Sequence, residues 1–324
     1  MAVERAPLRA PSLDEVMRAR ERIAGIAIRT PLLRAPRDVS ETVWLKMENL
    51  QPIGSFKIRG AANAMALAGA SAISRGVYTA SAGNMAQGVA WCAREAGVPC
   101  SVVVPDHAPL AKTSAIERLG GVVKKVPFDV WWQTLVDHHY PGMDGLFIHP
   151  FADTGVMAGN GTIALEVLED LPEADVILVP YGGGGLACGI ASVVRELRPS
   201  CKVYAVEAET AAPLTASLRA GAPLKVETTR TFIDGMGSNS ISTEMWPLVR
   251  ELLAGTVVVS VAQVESAVRT LATRMRVVAE GAGASALAAA VDGSLAGRRV
   301  AGIVSGGNID GSLLARLLAD HERH

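Results

Sequence analysis

Residues 176–197 read VILVPYGGGGLACGIASVVREL: an apolar run, four consecutive glycines, then a stretch whose Ile190, Val193, Val194 and Leu197 share one helical face. An apolar run that ends in glycine and reopens as a helix reads as a buried strand turning directly into a helix. The same alternation recurs outward from this point. Runs rich in β-branched residues at 43–47, 77–79, 101–104, 122–126, 203–207, 257–260 and 301–304 predict further strands. Between them, patterns at 84–96, 110–119, 159–170 and 261–276 are long enough for helices, and Ser12-Leu13-Asp14-Glu15 has the form of a capping box that opens a first helix. The strands are continuous apolar runs and do not alternate with polar residues, so the sheets are expected to be mostly parallel and covered on both faces. The fold class is α/β. The turn-rich 140–145 is the clearest break in the pattern. The expected organisation is a large domain of 1–73 and 151–324 with a small domain, 74–150, inserted in it.

Composition narrows the function. Lys plus Arg number 31 against 32 Asp plus Glu, a net charge of −1, so nothing favours a nucleic acid or an anionic membrane as partner. The chain has 32 glycines and 14 aromatic residues, which points to close backbone approaches in preference to stacking platforms. Cys92, Cys100, Cys188 and Cys201 form no C-x-x-C pair and read as buried free thiols. Residues 1–9 lack the apolar core of a leader, and no stretch reaches the roughly 18 apolar residues of a membrane span. A cytoplasmic protein is expected.

Four segments could carry chemistry. Gly182-Gly183-Gly184-Gly185 exposes backbone amides at a helix start, where the partial positive charge favours a phosphate, although a tight turn also calls for glycine. No Gly-Lys-Ser/Thr follows, so the loop is not a nucleotide P-loop. Lys57, in Ser55-Phe56-Lys57-Ile58-Arg59-Gly60, follows a Pro/Gly turn at a helix start, a setting that favours the neutral amine a Schiff base needs. Taken alone, a lysine near a helix start is more often a solvated surface charge. Ser81-Ala82-Gly83-Asn84-Met85 reads as a carboxylate receptor at a helix start or as an ordinary Asn cap. Ser305-Gly306-Gly307-Asn308 puts a hydroxyl at a strand's carboxyl end, where α/β sheets bind ligands, or is a turn serine. The loose fingerprint at 281–286 lacks a preceding strand, and its small residues read as close helix packing.

In this order and spacing the four segments resemble the fold-type II pyridoxal-phosphate enzymes, specifically the serine/threonine dehydratase and serine racemase family. Ala158-Gly159-Asn160-Gly161-Thr162, Asp234-Gly235 and Trp246-Pro247 add to the match, which spans roughly residues 12 to 312. The resemblance implies a tryptophan-synthase-β-like fold of two α/β domains, with pyridoxal 5'-phosphate in the cleft between them. It implies that Lys57 forms the Schiff base and serves as base at Cα, and that Gly182, Gly183, Gly184, Gly185 and Leu186 hold the phosphate. Asn84 is then expected at the phenolic oxygen, Phe56 as a wall, Glu280 near the ring and Ser305 at the ring nitrogen. Ser81, Ala82, Gly83, Asn84 and Met85 are expected to bind the substrate carboxylate. A hydroxyl partner leaves the ring nitrogen unprotonated and the ring a weaker electron sink, which suits prompt loss of a β-substituent. The implied reaction is elimination of water from a β-hydroxy-α-amino acid (L-threonine, L-serine or a bulkier one such as phenylserine), giving a 2-oxo acid and ammonia. The alternatives are a β-replacement lyase or synthase that captures the same intermediate with a nucleophile, and a cofactor-binding protein without useful catalysis.

Departures from the family pattern matter too. Racemases of this family carry serine where this chain has Ala82, so racemisation is expected to be poor. Met85 stands where the dehydratases commonly have His, which makes the substrate end more apolar. Glu207 is a possible ligand for a mono- or divalent cation, but the residues after it do not follow the family's acidic pattern. A cytoplasmic homodimer is expected from the resemblance. The short stretch after Asn308 is expected to leave no regulatory domain. His138-His139 read as surface residues, and Trp131-Trp132 as core or interface packing in preference to a substrate entrance or dimer contact.

Overall fold

The computed structural model of the chain describes residues 8–319; residues 1–7, part of the amino terminus read above for a leader, and 320–324 lie outside the described residues. The Ser12 box forms as expected, since Ser12 Oγ accepts from the Glu15 amide while the Glu15 carboxylate accepts from the Ser12 amide. Helix α1 (Leu13–Arg22) follows, then β1 (Leu32–Arg34), β2 (Val43–Lys46) and α2 (Lys57–Ile73). Next come β3 (Val77–Ala80), α3 (Asn84–Glu95), β4 (Cys100–Pro105), α4 (Leu110–Arg118), β5 (Gly121–Val126), α5 (Phe128–Asp137) and β6 (Leu146–Phe147). The chain continues through α6 (Thr154–Asp170), β7 (Val176–Pro180), α7 (Gly185–Leu197), β8 (Lys202–Ala208), α8 (Pro213–Ala220), α9 (Trp246–Leu252) and β9 (Gly255–Val259). It closes with α10 (Val261–Thr270), α11 (Gly281–Ala290), β10 (Val300–Ile303) and α12 (Gly311–Ala319).

Among the described residues the strands form two sheets. One has six strands in the order β1-β2-β10-β7-β8-β9, parallel except where β1 meets β2. The other has four, β5-β4-β3-β6, all parallel. The expected α/β class with mostly parallel sheets is what the chain adopts. Side chains of α1, α6, α7 and α9 cover one face of the larger sheet, and those of α10, α11 and α12 cover the other. That two-sided cover is why β7 and β10 are buried throughout and read as unbroken apolar runs.

Some elements differ from the sequence reading. β1 and β6 have three and two residues, too few to establish any period. Helix α6 starts at Thr154, five residues before the expected 159, because Asp153 caps it by accepting from the Val156 amide at 2.8 Å. The helix expected over 261–276 is regular only to Thr270. It then widens into a π turn, Leu271–Met275, and stops at Arg276, whose φ is 62°.

Two features of the interior fix the site. Gly159 of α6 lies against the Arg59 carbonyl of α2, while a Cβ on Gly161 would come 2.7 Å from the Gly189 carbonyl oxygen of α7. Helices that meet at backbone contact are held closer than side-chain packing allows. Buried beside this seam, Arg59 forms paired hydrogen bonds to Glu48 (Nε to Oε2 and Nη2 to Oε1, both 2.8 Å) and to Glu166 (2.7 and 2.9 Å). Lys46 pairs with Glu166 at 2.6 Å, so two cations and two anions are buried together without net charge. Burial pushes the Glu48 carboxyl up, but Arg59, Thr30 and Lys46 outweigh it and leave the group below its ordinary value. Removing Arg59 strands two carboxylates in a dry interior. Arg59→Met should therefore destabilise the protein by about 3–5 kcal/mol, seen as a large fall in the denaturant midpoint; an unchanged midpoint would contradict a structural role for the cluster.

Candidate active site

The turns that follow β3, β7 and β10 open into one cavity of about 590 Å3. After β7, Gly184 takes the left-handed conformation (φ 91°) and caps α7, which other residues adopt only with strain. A Cβ on Gly183 would overlap the Phe151 ring, and one on Gly185 would come 2.7 Å from the Phe151 carbonyl oxygen. Glycine is thus demanded by both conformation and space. The first amides of α7 have no acceptor within the helix and sit at its positive end, which makes the turn an anion cradle.

Lys57 is the first residue of α2. Its Nζ donates to the Pro150 carbonyl at 2.6 Å. That carbonyl is presented by a tight turn in which His149 Nδ1 accepts from the Phe151 and Ala152 amides at 3.2 and 2.7 Å. Burial lowers the Lys57 pKa to about 8, and the nearby Glu280 carboxylate opposes the shift. Desolvation is thus the leading cause of the lowered basicity. Glu280 is itself pushed up to about 7, chiefly by burial, with the Asn84 hydrogen bond pulling the other way.

Asn84 opens α3 and links two walls of the cavity. Its Nδ2 donates to Glu280 Oε1 at 2.8 Å, and its Oδ1 accepts from Asn308 Nδ2 at 2.8 Å. Ser81 Oγ accepts from the Gly83 amide at 3.2 Å, curling the loop that leads into α3. Ser305 is buried, and its carbonyl accepts from the Phe56 amide at 3.0 Å. Its side chain lines the cavity.

Every residue expected around the cofactor and substrate carboxylate lines this cavity: Phe56, Lys57, the segment 81–85, the segment 182–186, Glu280 and Ser305. Glu207 lies elsewhere. Its Oε1 accepts from the Leu214 amide and its Oε2 from Thr215, so the carboxylate serves as a cap for α8. No group of three or more potential metal ligands comes together among the described residues.

Sequence reasoning missed several participants. The Pro150 carbonyl and Phe151 left no pattern to read, since one acts through its backbone and the other through a long-range contact. Lys112 and Asp234 pair at 2.6 Å on the cavity wall, from segments 122 residues apart. Trp131 and Trp132 line the cavity instead of serving only as packing. His138 is no simple surface residue: it ends α5, stacks on His149 with ring centroids 4.2 Å apart, and bonds Glu244 at 3.0 Å.

An amine sheltered in a cleft, together with a glycine cradle for an anion, defines an enzyme that works through an aldehyde cofactor with an anionic tail. The chain belongs to the pyridoxal-phosphate dependent enzyme family, whose model matches residues 23–306. It is 37% identical over 313 residues to an L-threonine ammonia-lyase of Thermotoga maritima, covering 95% of this chain and 78% of the relative. It is 36% identical over 315 residues to a catabolic L-threonine dehydratase of Escherichia coli, covering 94% and 95% of the two chains. The structure of maize serine racemase superposes with a TM-score of 0.85 at 30% identity, covering 98% of this chain and 99% of that one.

The residues present fit the group. A cradle that any Cβ would fill faces the cavity, an amine of lowered basicity lies in the same space, and the side chain of the buried Ser305 lines it. Because the Glu280 charge raises the Lys57 pKa, Glu280→Gln should lower it below about 8. The pH midpoint for reaction of the apoprotein with pyridoxal phosphate, followed by borohydride trapping at Lys57, should then move to lower pH. A midpoint that stays put or rises would refute this coupling.

Proposed function

We propose that this protein eliminates water from a β-hydroxy-α-amino acid, giving a 2-oxo acid and ammonia. The observation that carries the reading is that the Lys57 amine, the tetraglycine turn, the 81–85 loop and Ser305 all face one cavity. The names of the relatives, ammonia-lyase and dehydratase, support it. When bound, pyridoxal phosphate supplies an aldehyde for the substrate amine and a conjugated ring that takes up the electron pair left at Cα.

The remaining work falls to the protein. Amides of Gly182 to Leu186 would hold the phosphate, Asn84 the phenolic oxygen and Ser305 the ring nitrogen, with Phe56 as a wall. Gly183→Ala should raise the Kd for pyridoxal phosphate by about tenfold or more, measured by titrating the apoprotein; unchanged affinity would move the phosphate elsewhere. The 81–85 loop would bind the substrate carboxylate, fixing which bond at Cα is broken. Lys57 would take the Cα proton, and the β-hydroxyl would depart as water with a proton returned from the resulting ammonium group. The enamine that leaves tautomerises and hydrolyses. Ala82 has no proton to deliver from the opposite face, which favours elimination over racemisation.

The separation of the two sheets supports the division into 1–73 with 151–324 and 74–150. Among the described residues no helix is long and apolar enough to cross a membrane, and all four cysteines are free and buried. With the resemblance, we take a cytoplasmic homodimer as the working setting. The test is 2-oxo acid release by the holoenzyme from L-serine, L-threonine and L-threo-3-phenylserine. Lys57→Ala should cut it by roughly a thousandfold or more and abolish borohydride labelling at that position. Turnover that appears only with an added thiol would favour β-replacement instead.

A further inference from the structure

Helix α5 presents Phe128, Trp131, Trp132 and Leu135 at positions i, i+3, i+4 and i+7, a single face, and all four line the cavity that holds Lys57. Leu135 anchors the face to the smaller sheet through Ala80, Val103 and Val126. The three rings form a continuous wall, with centroids 5.5 Å apart from Phe128 to Trp131 and 6.3 Å from Trp131 to Trp132. Phe128 is 53% and Trp132 37% exposed, an arrangement that keeps large apolar surface in contact with water until something covers it. Trp131 Nε1, by contrast, is sealed from solvent and donates to nothing among the described residues.

The rest of the cavity is already assigned by chemistry. The glycine turn suits the phosphate, Lys57 the amine exchange, and the 81–85 loop the α-carboxylate, so the substituent at Cβ is what remains for the α5 face. Two basic side chains line the cavity: Lys57, and Lys112, which is paired with Asp234. Among the described lining residues no unpaired cation therefore awaits a second carboxylate on the substrate. Met85, buried at the start of α3, adds apolar lining. The cavity of about 590 Å3 extends from the glycine turn to the α5 face.

We infer that the preferred substrates are β-hydroxy-α-amino acids carrying an aryl or similarly bulky apolar group at Cβ, with the α5 face determining specificity. The inference rests on the dehydratase reading above. The net reaction balances: R–CH(OH)–CH(NH3+)–COO− becomes R–CH2–CO–COO− plus NH4+, the water lost in elimination being regained in hydrolysis.

The test uses the holoenzyme with L-threo-3-phenylserine, L-threonine and L-threo-3-hydroxyaspartate, each assayed for 2-oxo acid. The expected kcat/KM is about tenfold or more higher for phenylserine than for threonine, and lowest for hydroxyaspartate. Trp132→Ala and Phe128→Ala alter partly exposed side chains that the fold tolerates losing. Each should lower the phenylserine-to-threonine ratio of kcat/KM by about tenfold. Trp131→Phe, which keeps the ring but removes the donor, should lower it less. A wild type that prefers threonine, or ratios unmoved in both alanine variants, overturns the inference while leaving the dehydratase reading intact. So does a Trp132→Ala variant whose sedimenting mass changes while its ratio does not, which would make the face a contact between copies. No 2-oxo acid from any of the three, despite borohydride-labelled Lys57, removes the dehydratase reading and the inference with it.

Discussion

Helix α6 touches α2 on one side and α7 on the other at the level of the backbone, and this double contact sets where everything else can be. Lys57 begins α2 and the tetraglycine turn begins α7, so their separation is inherited from the fit of Gly159 against Arg59 and of Gly161 against Gly189. Rigid elements are the better support for chemistry because a misplacement of about 1 Å costs roughly a hundredfold in rate. The Arg59 cluster locks the same seam from within. It binds the residues just before α2, through Glu48, to the body of α6, through Glu166, with hydrogen bonds that depend on direction as well as distance.

What the sequence made legible follows from how local each signal is. The α/β class was readable because β3, β7 and β10 are buried on both faces and carry unbroken apolar runs. The glycine turn and Lys57 could be singled out because each combines a strand or turn with a helix start within a few residues. The residues that complete the cavity were not legible, since they act from afar. The Pro150 carbonyl is backbone, which no residue type announces, and Asn308 reaches Asn84 across 224 positions. Glu207 shows a contact that was not legible. An acidic residue at a strand end suggests a ligand, yet its neighbours in space are the amides of α8.

Electrostatics and hydrophobicity divide the cavity between them. The end near Lys57 and Glu280 holds titratable groups whose shifts come mainly from burial, opposed by the Glu280 charge at Lys57 and by the Asn84 hydrogen bond at Glu280. The end near α5 is aromatic. A face of four apolar residues on a helix is ordinarily core. Only the exposure of Phe128 and Trp132, beside a cavity that already contains the reactive amine, separates the two meanings.

The Pro150 carbonyl offers the Lys57 nitrogen a mooring independent of any covalent partner. A carbonyl oxygen accepts from an amine and, more strongly, from an ammonium group. The same tether can therefore steady the side chain both before and after it collects a proton, so the lysine need not search for its position again at the end of each turnover.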